Sequence, residues 1–246
     1  MEIFAKTDVG RVRSANQDSF RIARIGDFTL GVVCDGMGGA NGGSVASATA
    51  CDVFVGTCKE AGGALVVEGA PFAVLGQALE AANTAVYEKA VSDASLEGMG
   101  TTLLAVLTDE KRVYALSVGD SRIYRLTDDA IVQLSHDHSF VQALVDNGSI
   151  TREQSKNHPN KNIITRAVGT QHTVDGDLFA LDFTGGAFLL CTDGLTGYVE
   201  DETLLALYRK EQGAENVVNA YIEAANEAGG GDNITALMIT KDARKG

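Results

Sequence analysis

The chain contains 246 residues, of which 45% are hydrophobic, and its formal net charge is −13. This length fits one large domain or two small ones, and the apolar share is sufficient for a substantial core. The negative charge makes nucleic acid a poor partner, and no apolar run is long enough to span a membrane as a helix. The chain also lacks a linker-like tract and does not begin as a signal peptide does. We therefore expect a single domain over residues 1–246, located in the cytoplasm.

Strand-like and helix-like runs follow one another without a regular β-α alternation. Apolar and β-branched runs bounded by turn residues predict strands over 2–6, 19–24, 28–34, 101–107, 112–118, 122–126, 131–134, 176–181, 187–192 and 233–240. Apolar spacings of three and four residues and terminal signals predict helices over 43–58, 72–86, 139–147, 202–210 and 214–228. The polar segment 149–162 is predicted to be irregular. Because strands outnumber helices and tight turns join many of them, we expect largely antiparallel sheets with helices packed outside.

Five short motifs each place an aspartate beside a glycine or an amide residue. They are Asn16-Gln17-Asp18, Asp35-Gly36-Met37-Gly38-Gly39, Gly119-Asp120-Ser121, Thr192-Asp193-Gly194 and Gly231-Asp232-Asn233. In three of them the aspartate follows a predicted strand at a turn, where a carboxylate can point into a shared cavity. Converging buried carboxylates require a cation, and oxygen ligands without a set of Cys or His favour Mg²⁺ or Mn²⁺. Two such ions bridged by carboxylates are a recurring device for phosphate ester hydrolysis.

The cysteines and histidines offer weaker signals. Cys34 and Cys191 lie in apolar runs and are predicted to be small buried residues without a disulfide. His136-Asp137-His138 has the spacing of a zinc ligand pair, but no further Cys or His completes a set, so a capping loop is the favoured interpretation. His158 lies in the polar segment, where it fits either a substrate contact or an exposed loop position.

The motifs together carry a family resemblance. In chain order they are Arg13, Asn16-Gln17-Asp18, Asp35-Gly36-Met37-Gly38-Gly39, Gly100-Thr101-Thr102, Gly119-Asp120-Ser121-Arg122, Thr165-Arg166-Ala167-Val168-Gly169, Thr192-Asp193-Gly194-Leu195 and Gly231-Asp232-Asn233. From about residue 4 to about residue 240 the chain resembles the metal-dependent serine/threonine protein phosphatases (type 2C, or PPM), most of all the compact bacterial members. The resemblance implies an α+β fold, a four-layer α-β-β-α sandwich of two mainly antiparallel sheets, with metals at one end between the sheets. It also implies a flap at about 145–165.

The resemblance assigns metal-ligand roles to five residues. Asp35 would bridge two Mn²⁺ or Mg²⁺ ions, and the Gly36 carbonyl would coordinate one of them. Asp193 and Asp232 would hold the other ion, and Asp18 would act on the first, partly through water. A water activated between the two ions would attack phosphorus in line.

Two further roles complete the implied reaction, the hydrolysis of phosphoserine and phosphothreonine in proteins. Asp120 would support a third, weaker ion together with Asp193, and Arg13 would grip the substrate phosphate through its planar fork of donors. Arg13 and Asp35 are thus the expected catalytic residues. The expected partners are phosphoproteins made by a serine/threonine kinase, in signalling, and we expect a monomer.

Two other functions fit parts of the sequence. The glycines after Asp35 follow a strand and precede a helix, as in nucleotide-binding domains, but Asn41 stands where the dinucleotide fingerprint requires glycine. A catalytically weak relative could also bind phosphoproteins as a module. Loss of a metal aspartate would favour that alternative, and none is lost. Many relatives carry a histidine shortly after this Asp-Gly, where this chain has Met37 and Ala40.

Overall fold

Two antiparallel sheets form the centre of the molecule. A computed structural model describes residues 1–65, 67 and 69–241, apart from the side chain of Ala40. The strands in this part of the chain are β1 Glu2–Asp8, β2 Asp18–Ile25, β3 Phe28–Met37, β4 Gly100–Thr101, β5 Leu103–Thr108, β6 Arg112–Val118, β7 Arg122–Leu126, β8 Ile131–Gln133, β9 Asp177–Asp182, β10 Ala187–Cys191 and β11 Ile234–Thr240. The α-helices are α1 Gly39–Glu60, α2 Ala70–Ser92, α3 Phe140–Asp146, α4 Arg152–Lys156, α5 Asp193–Thr196, α6 Asp201–Lys210 and α7 Gly213–Glu227.

The strand order brings distant parts of the sequence together. One sheet has the order β1-β11-β10-β7-β8, and the other has the order β2-β3-β5-β6-β9 with β4 paired to β3. The neighbouring strands are antiparallel, as expected. A dinucleotide-binding fold requires parallel strands joined by helical crossovers, so the nucleotide-binding interpretation is wrong.

Side-chain alternation explains why the central strands are apolar on both faces. In β5, Leu104 and Val106 point between the two sheets, whereas Leu103, Ala105 and Leu107 point to the helices outside. The space between the sheets is filled from both sides by Val33, Leu104, Val106, Val113, Ala115, Ile123, Phe183, Phe188, Leu190, Leu237 and Ile239. The sheets approach closely at Gly31, where an added Cβ would lie 2.9 Å from a Cδ of Leu237.

The helices form the two outer layers. Phe54 of α1 and Leu75 of α2 are fully buried against the sheet that contains β3. Tyr221 of α7 and Leu204 of α6 are fully buried against the sheet that contains β10, and the Tyr221 hydroxyl donates to the Leu204 carbonyl at 2.9 Å. The four-layer α-β-β-α arrangement is therefore confirmed.

Strand β3 is longer than the sequence predicts. The pattern places its end at residue 34, but the strand continues to Met37 because Gly36 pairs with Thr101 and Met37 pairs with Gly100. Asp35 therefore lies inside a strand and not at a turn after it, which corrects the sequence-based placement. The backbone of Asp35 is held on both sides by strand pairing.

Two short helices also depart from the prediction. The segment 149–162 contains α4, which starts with a capping box in which Thr151 accepts from the backbone of Gln154 and the Gln154 side chain accepts from the backbone of Thr151. Asp193 opens the short helix α5 directly after β10. The cysteines are all unpaired and buried, as expected for those in apolar runs. Within the described ranges no helix is both long and apolar enough to cross a membrane.

The close contact between the sheets gives a stability prediction. Leu237→Ala should lower the free energy of unfolding by about 2–5 kcal/mol, because it removes buried contacts and leaves a cavity between rigid sheets. Val132→Ala on β8 is the matched control, since Val132 is 51% exposed, and it should change stability by less than about 0.5 kcal/mol. Urea unfolding of both variants measures the difference. Equal losses would mean that the space between the sheets is not the main apolar core.

Candidate metal centre

The pairing of β2 with β3 places two of the aspartates side by side. Asp18 is the first residue of β2, and its Cα partner on β3 is Asp35. Directly opposite residues of an antiparallel pair project to the same face with Cβ atoms about 4.5–5.5 Å apart. The two carboxyl groups therefore meet although the sequence separates them by a whole hairpin.

The other three aspartates come from connections at the same end of the sheets. Asp120 lies between β6 and β7, after Gly119, whose φ of 102° is in the left-handed region that favours glycine. Asp193 opens α5 after β10, and Asp232 stands two residues before β11. The charges of Asp18, Asp120, Asp193 and Asp232 all act on Asp35, so the five predicted aspartates lie in one region of the structure.

Burial and mutual repulsion disfavour the charged forms of these groups. Burial raises the pKa of Asp18 to about 7, in spite of hydrogen bonds from Thr235 and Thr192 that lower it. Burial also raises the pKa of Asp120 to about 8, with a further contribution from the charge of Asp193. Neutral aspartic acids near pH 7 are unusual and mark a cluster that lacks compensating positive charge.

Asp35 and Asp193 also have raised pKa values. Burial raises the pKa of Asp35 well above its usual range, and the charges of Asp18, Asp193, Asp120 and Asp232 add to it. Burial likewise raises the pKa of Asp193, followed by the charge of Asp232, and a hydrogen bond with Asp35 opposes the shift.

Two carboxylate oxygens in the cluster fit a cation. Oδ1 of Asp18 and Oδ1 of Asp120 are buried and have no hydrogen-bond partner among the described residues. Within residues 1–65, 67 and 69–241, no group of three or more His, Cys, Asp or Glu side chains is arranged to hold a metal ion. By their chemistry, the donors of the aspartate cluster are all hard oxygens with excess negative charge, which fit Mg²⁺ or Mn²⁺.

Gly36 lies in a space that admits no side chain. Its N–H donates to the Gln17 carbonyl at 3.1 Å, and an added Cβ would overlap the carbonyl of Gly43 in α1. A Cβ on Gly43 would in turn lie 2.5 Å from the Gly36 carbonyl oxygen. The start of α1 therefore packs directly on the end of β3, which fixes the Gly36 carbonyl beside Asp35.

Arg13 lies at the edge of the cluster, at its contact with solvent. Its Nη2 is 2.9 Å from Oδ2 of Asp232, and the two side chains are 53% and 35% exposed. Asn233 holds the loop that carries Arg13, because its side chain donates to the carbonyls of Val9 and Ala15 and accepts from the N–H of Gln17. The backbone N–H of Asn233 also donates to Oδ1 of Asp232 at 2.8 Å.

The Gly100-Thr101-Thr102 motif contacts Asp35 through its hydroxyl groups. Thr102 Oγ1 accepts the Asp35 N–H at 2.9 Å, and Thr101 Oγ1 donates to the Asp35 carbonyl at 2.8 Å. Thr102 also shares a hydrogen bond of 2.8 Å with Ser121, the neighbour of Asp120. The sequence does not predict these contacts, since nothing in the pattern shows which backbone a hydroxyl will contact.

The histidine motif does not form a metal site. His136 pairs with Asp146 at 2.8 Å, and Asp137 pairs with Arg122 at 2.7 Å. His138 is buried and its Nδ1 accepts the N–H of Gly119 at 3.0 Å. These side chains serve three different contacts, which agrees with the capping-loop interpretation.

His158 lies in the polar segment 149–162. Its Nδ1 accepts the N–H of Asn160 at 3.1 Å, and its ring lies 6.0 Å from that of Phe140. His158 is half-buried, and these contacts decide neither for the substrate contact nor for the exposed loop position, so both stay predictions.

A cavity of about 640 Å³ opens beside the aspartates. Its lining includes Asp120, Asp193, and residues of α4 and of the start of α6. Lys156 of α4 forms an ion pair of 2.7 Å with Glu200, the residue before α6. The cavity gives the cluster access to a polar group the size of a phosphorylated side chain.

Comparisons with known proteins point to one family. A family model described as protein phosphatase 2C matches residues 10–238. The serine/threonine phosphatase stp of Listeria innocua is 36% identical over 239 residues, which are 96% of this chain and 94% of that protein. The crystal structure of a bacterial serine phosphatase superposes with a TM-score of 0.93 at 35% identity and covers 100% of both chains. The catalytic domain of the serine/threonine protein phosphatase PstP, solved in complex with two manganese ions, has a TM-score of 0.84 at 34% identity over 96% of both chains.

The electrostatics of the cluster predict how stability depends on pH. The raised pKa values of Asp18 and Asp120, about 7 and about 8, mean that the folded form holds these protons more tightly than the unfolded chain does. The metal-free protein should therefore lose stability as pH rises from about 4 through about 8. Mn²⁺ should raise the melting temperature more at about pH 8 than at about pH 5, because protons compete for the same oxygens.

Thermal unfolding with a chelator and with saturating Mn²⁺, at both pH values, measures this difference. An equal shift at the two pH values, or none at either, would contradict a carboxylate site in this cluster.

Proposed function

We propose how the residues of this chain carry out its reaction, given that the chain belongs to the protein phosphatase 2C family and is a metal-dependent serine/threonine protein phosphatase. The observation that supports the assignment is the convergence of five aspartates, of which Asp18, Asp35, Asp120 and Asp193 have raised pKa values, with Arg13 paired to the fifth, Asp232. The substrates are phosphorylated proteins. No metal aspartate is missing, which argues against a role confined to phosphoprotein binding.

Five residues would hold two manganese or magnesium ions. Asp35 would contribute to both ions and the Gly36 carbonyl to one; the two groups are adjacent on β3 and rigidly held. Asp193 and Asp232 would contribute to one ion from the other sheet, and Asp18 would support the opposite one through its Oδ1, which has no partner among the described residues. When bound, such a pair of ions supplies a nucleophilic water near neutral pH and neutralises charge on the phosphoryl oxygens.

Asp120 is the proposed ligand of a third, weaker ion. Its Oδ1 has no partner among the described residues, and its carboxylate interacts with that of Asp193. Arg122 partly compensates its charge. The negative charge that a bound cation must offset is therefore smaller at Asp120 than at Asp35.

Arg13 is the proposed phosphate-binding residue. It is exposed enough to reach a substrate, and Asp232 holds its guanidinium at the edge of the cluster. A guanidinium presents two parallel N–H donors to two phosphate oxygens, which fixes the orientation of the phosphorus as well as its charge.

The segment 145–165 is the proposed flap of a single catalytic domain over residues 1–246. It contains α4 and forms one wall of the cavity. We place the enzyme in the cytoplasm as a monomer that acts in signalling on the products of a serine/threonine kinase. The four unpaired cysteines support a reducing compartment, and the net charge of −13 argues against a nucleic acid partner.

Replacing the proposed bridging ligand should separate activity from folding. Asp35→Asn should lower kcat by at least about 100-fold with Mn²⁺, because the amide cannot supply the charge that holds both ions. Its metal-free melting temperature should not fall, because the substitution removes one of the repelling charges. Steady-state kinetics on a phosphopeptide and thermal unfolding with a chelator measure the two effects. Near-normal turnover of this variant would refute the bridging role.

Asp120→Ala is expected to behave differently from Asp35→Asn. Two Mn²⁺ should still bind, because the proposed ligands of the first two ions are unchanged, and turnover should be slower. Calorimetric stoichiometry and kcat measure the outcome. If neither changes, the third-ion assignment of Asp120 is wrong.

The proposed phosphate contact predicts a change in substrate affinity. Arg13→Ala should raise KM for a phosphopeptide by about 10–100-fold, which corresponds to the loss of charged hydrogen bonds worth about 1.5–3 kcal/mol. Arg13→Lys should recover only part of this, because an ammonium lacks the fork. Arg21→Ala, which removes a comparable surface ion pair with Asp52, is the control and should leave KM unchanged. An unchanged KM in Arg13→Ala would contradict the phosphate role.

A further inference from the structure

The two carboxylate oxygens of Asp18 have different surroundings. Oδ2 accepts hydrogen bonds from the hydroxyls of Thr235 at 2.6 Å and Thr192 at 2.9 Å. Oδ1 is buried and has no partner among the described residues. Thr235 lies in β11 of the other sheet and Thr192 directly follows β10 of that sheet, so the donors that hold Asp18 reach across the space between the sheets.

A closed ring of hydrogen bonds fixes the direction of the Thr235 donor. The Asp18 N–H donates to Oδ1 of Asn16 at 3.0 Å, so the Asn16 amide must present its NH₂ on the opposite side. That NH₂ donates to Thr7 Oγ1 at 2.8 Å, and Thr7 and Thr235 hydroxyls lie 2.7 Å apart. Because Thr235 gives its only hydroxyl proton to Asp18, Thr7 donates to Thr235.

Thr192 is oriented in the same way by a backbone group. Its Oγ1 accepts the N–H of Thr235 at 3.0 Å, which leaves its proton for Asp18. Both hydroxyls are buried. The register pairs Thr7 with Thr235 directly across β1 and β11, so neither side chain can turn away without leaving a buried polar group unpaired.

We propose that Thr235 and Thr192 are positioning residues for the metal centre. Their hydroxyls donate hydrogen bonds to Oδ2 of Asp18 and so leave Oδ1 available to coordinate a metal ion. The proposal depends on the proposed role of Asp18 as a metal ligand. Uncharged hydroxyl donors are suited to this task, because a lysine or arginine in their place would compensate the charge of Asp18 and compete with the cation. Outer partners of metal ligands commonly change metal affinity by about 10–100-fold when they are removed.

Isosteric removal of one hydroxyl tests the proposal. Thr235→Val keeps the branched shape in β11 and should weaken Mn²⁺ binding by about 10-fold in titration calorimetry. Thr235→Ser retains the hydroxyl and should restore most of the affinity. Thr29→Val is the matched control, because Thr29 is also fully buried in a strand but its hydroxyl has no partner among the described residues, and Mn²⁺ affinity should be unchanged.

Two further variants separate positioning from a purely structural role. Thr7→Val removes the outer donor of the ring without touching Asp18, and should weaken Mn²⁺ binding less than Thr235→Val does. A lower metal-free melting temperature for Thr235→Val with unchanged Mn²⁺ affinity would show a structural role only and would overturn the proposal.

Asp18→Asn serves as the reference. If it weakens Mn²⁺ binding and Thr235→Val does not, positioning is refuted and the function of Asp18 stands. If Asp18→Asn also leaves affinity unchanged, the metal role of Asp18 itself is wrong. If Thr235→Val does not fold, Thr192→Val tests the same oxygen from the second donor, and the same outcomes apply.

Discussion

Repulsion among the buried aspartates is the constraint on which the rest of the site depends. The charges of Asp18, Asp193, Asp120 and Asp232 all act on Asp35, and burial raises the pKa of Asp35 further. Such a cluster is unfavourable by itself, since each charged group has lost most of its contact with water. The fold must therefore hold the carboxylates in place by other means until cations neutralise them. Every feature around the site can be understood from this requirement.

The structure meets the requirement mainly with uncharged groups. Thr101 and Thr102 hold the backbone of Asp35, and Thr192 and Thr235 hold the side chain of Asp18. The positive groups lie at the border of the cluster: Arg13 pairs with Asp232 at the exposed edge, and Arg122, which partly compensates the charge of Asp120, donates three hydrogen bonds to Asp137. A positive side chain inside the cluster would stabilise the apo form and weaken metal binding. The hydroxyl donors fix positions and leave the net negative charge available to the ions.

The parts of the structure that the sequence could predict are those that follow from local patterns. The apolar strands, the long helices and the aspartates at chain turns could be predicted from the sequence, because periodicity and glycine placement are properties of neighbouring residues. The end of β3 could not be predicted, since it depends on pairing with Gly100 and Thr101 far along the chain. The helix α4 was missed although its capping box, Thr151 to Gln154, is visible in the sequence. The Asn233 contacts to Val9 and Ala15 could not have been found, because no local pattern names a partner more than 200 residues away.

Assembly of the site from both sheets has a consequence for the energetics of the whole molecule. Asp18 and Asp35 belong to one sheet, whereas Asp193 and Asp232 flank strands of the other. With the proposed ligands, metal binding would be coupled to the docking of the two sheets, because ions that contact both sets would stabilise only the docked arrangement. By the same linkage, contacts such as those of Leu237 with the opposite sheet would contribute to metal affinity although they lie outside the cluster. The apolar core between the sheets and the acidic cluster at its end would thus form one cooperative unit. The core sets the distance between the carboxylates, and bound ions would offset the repulsion between them.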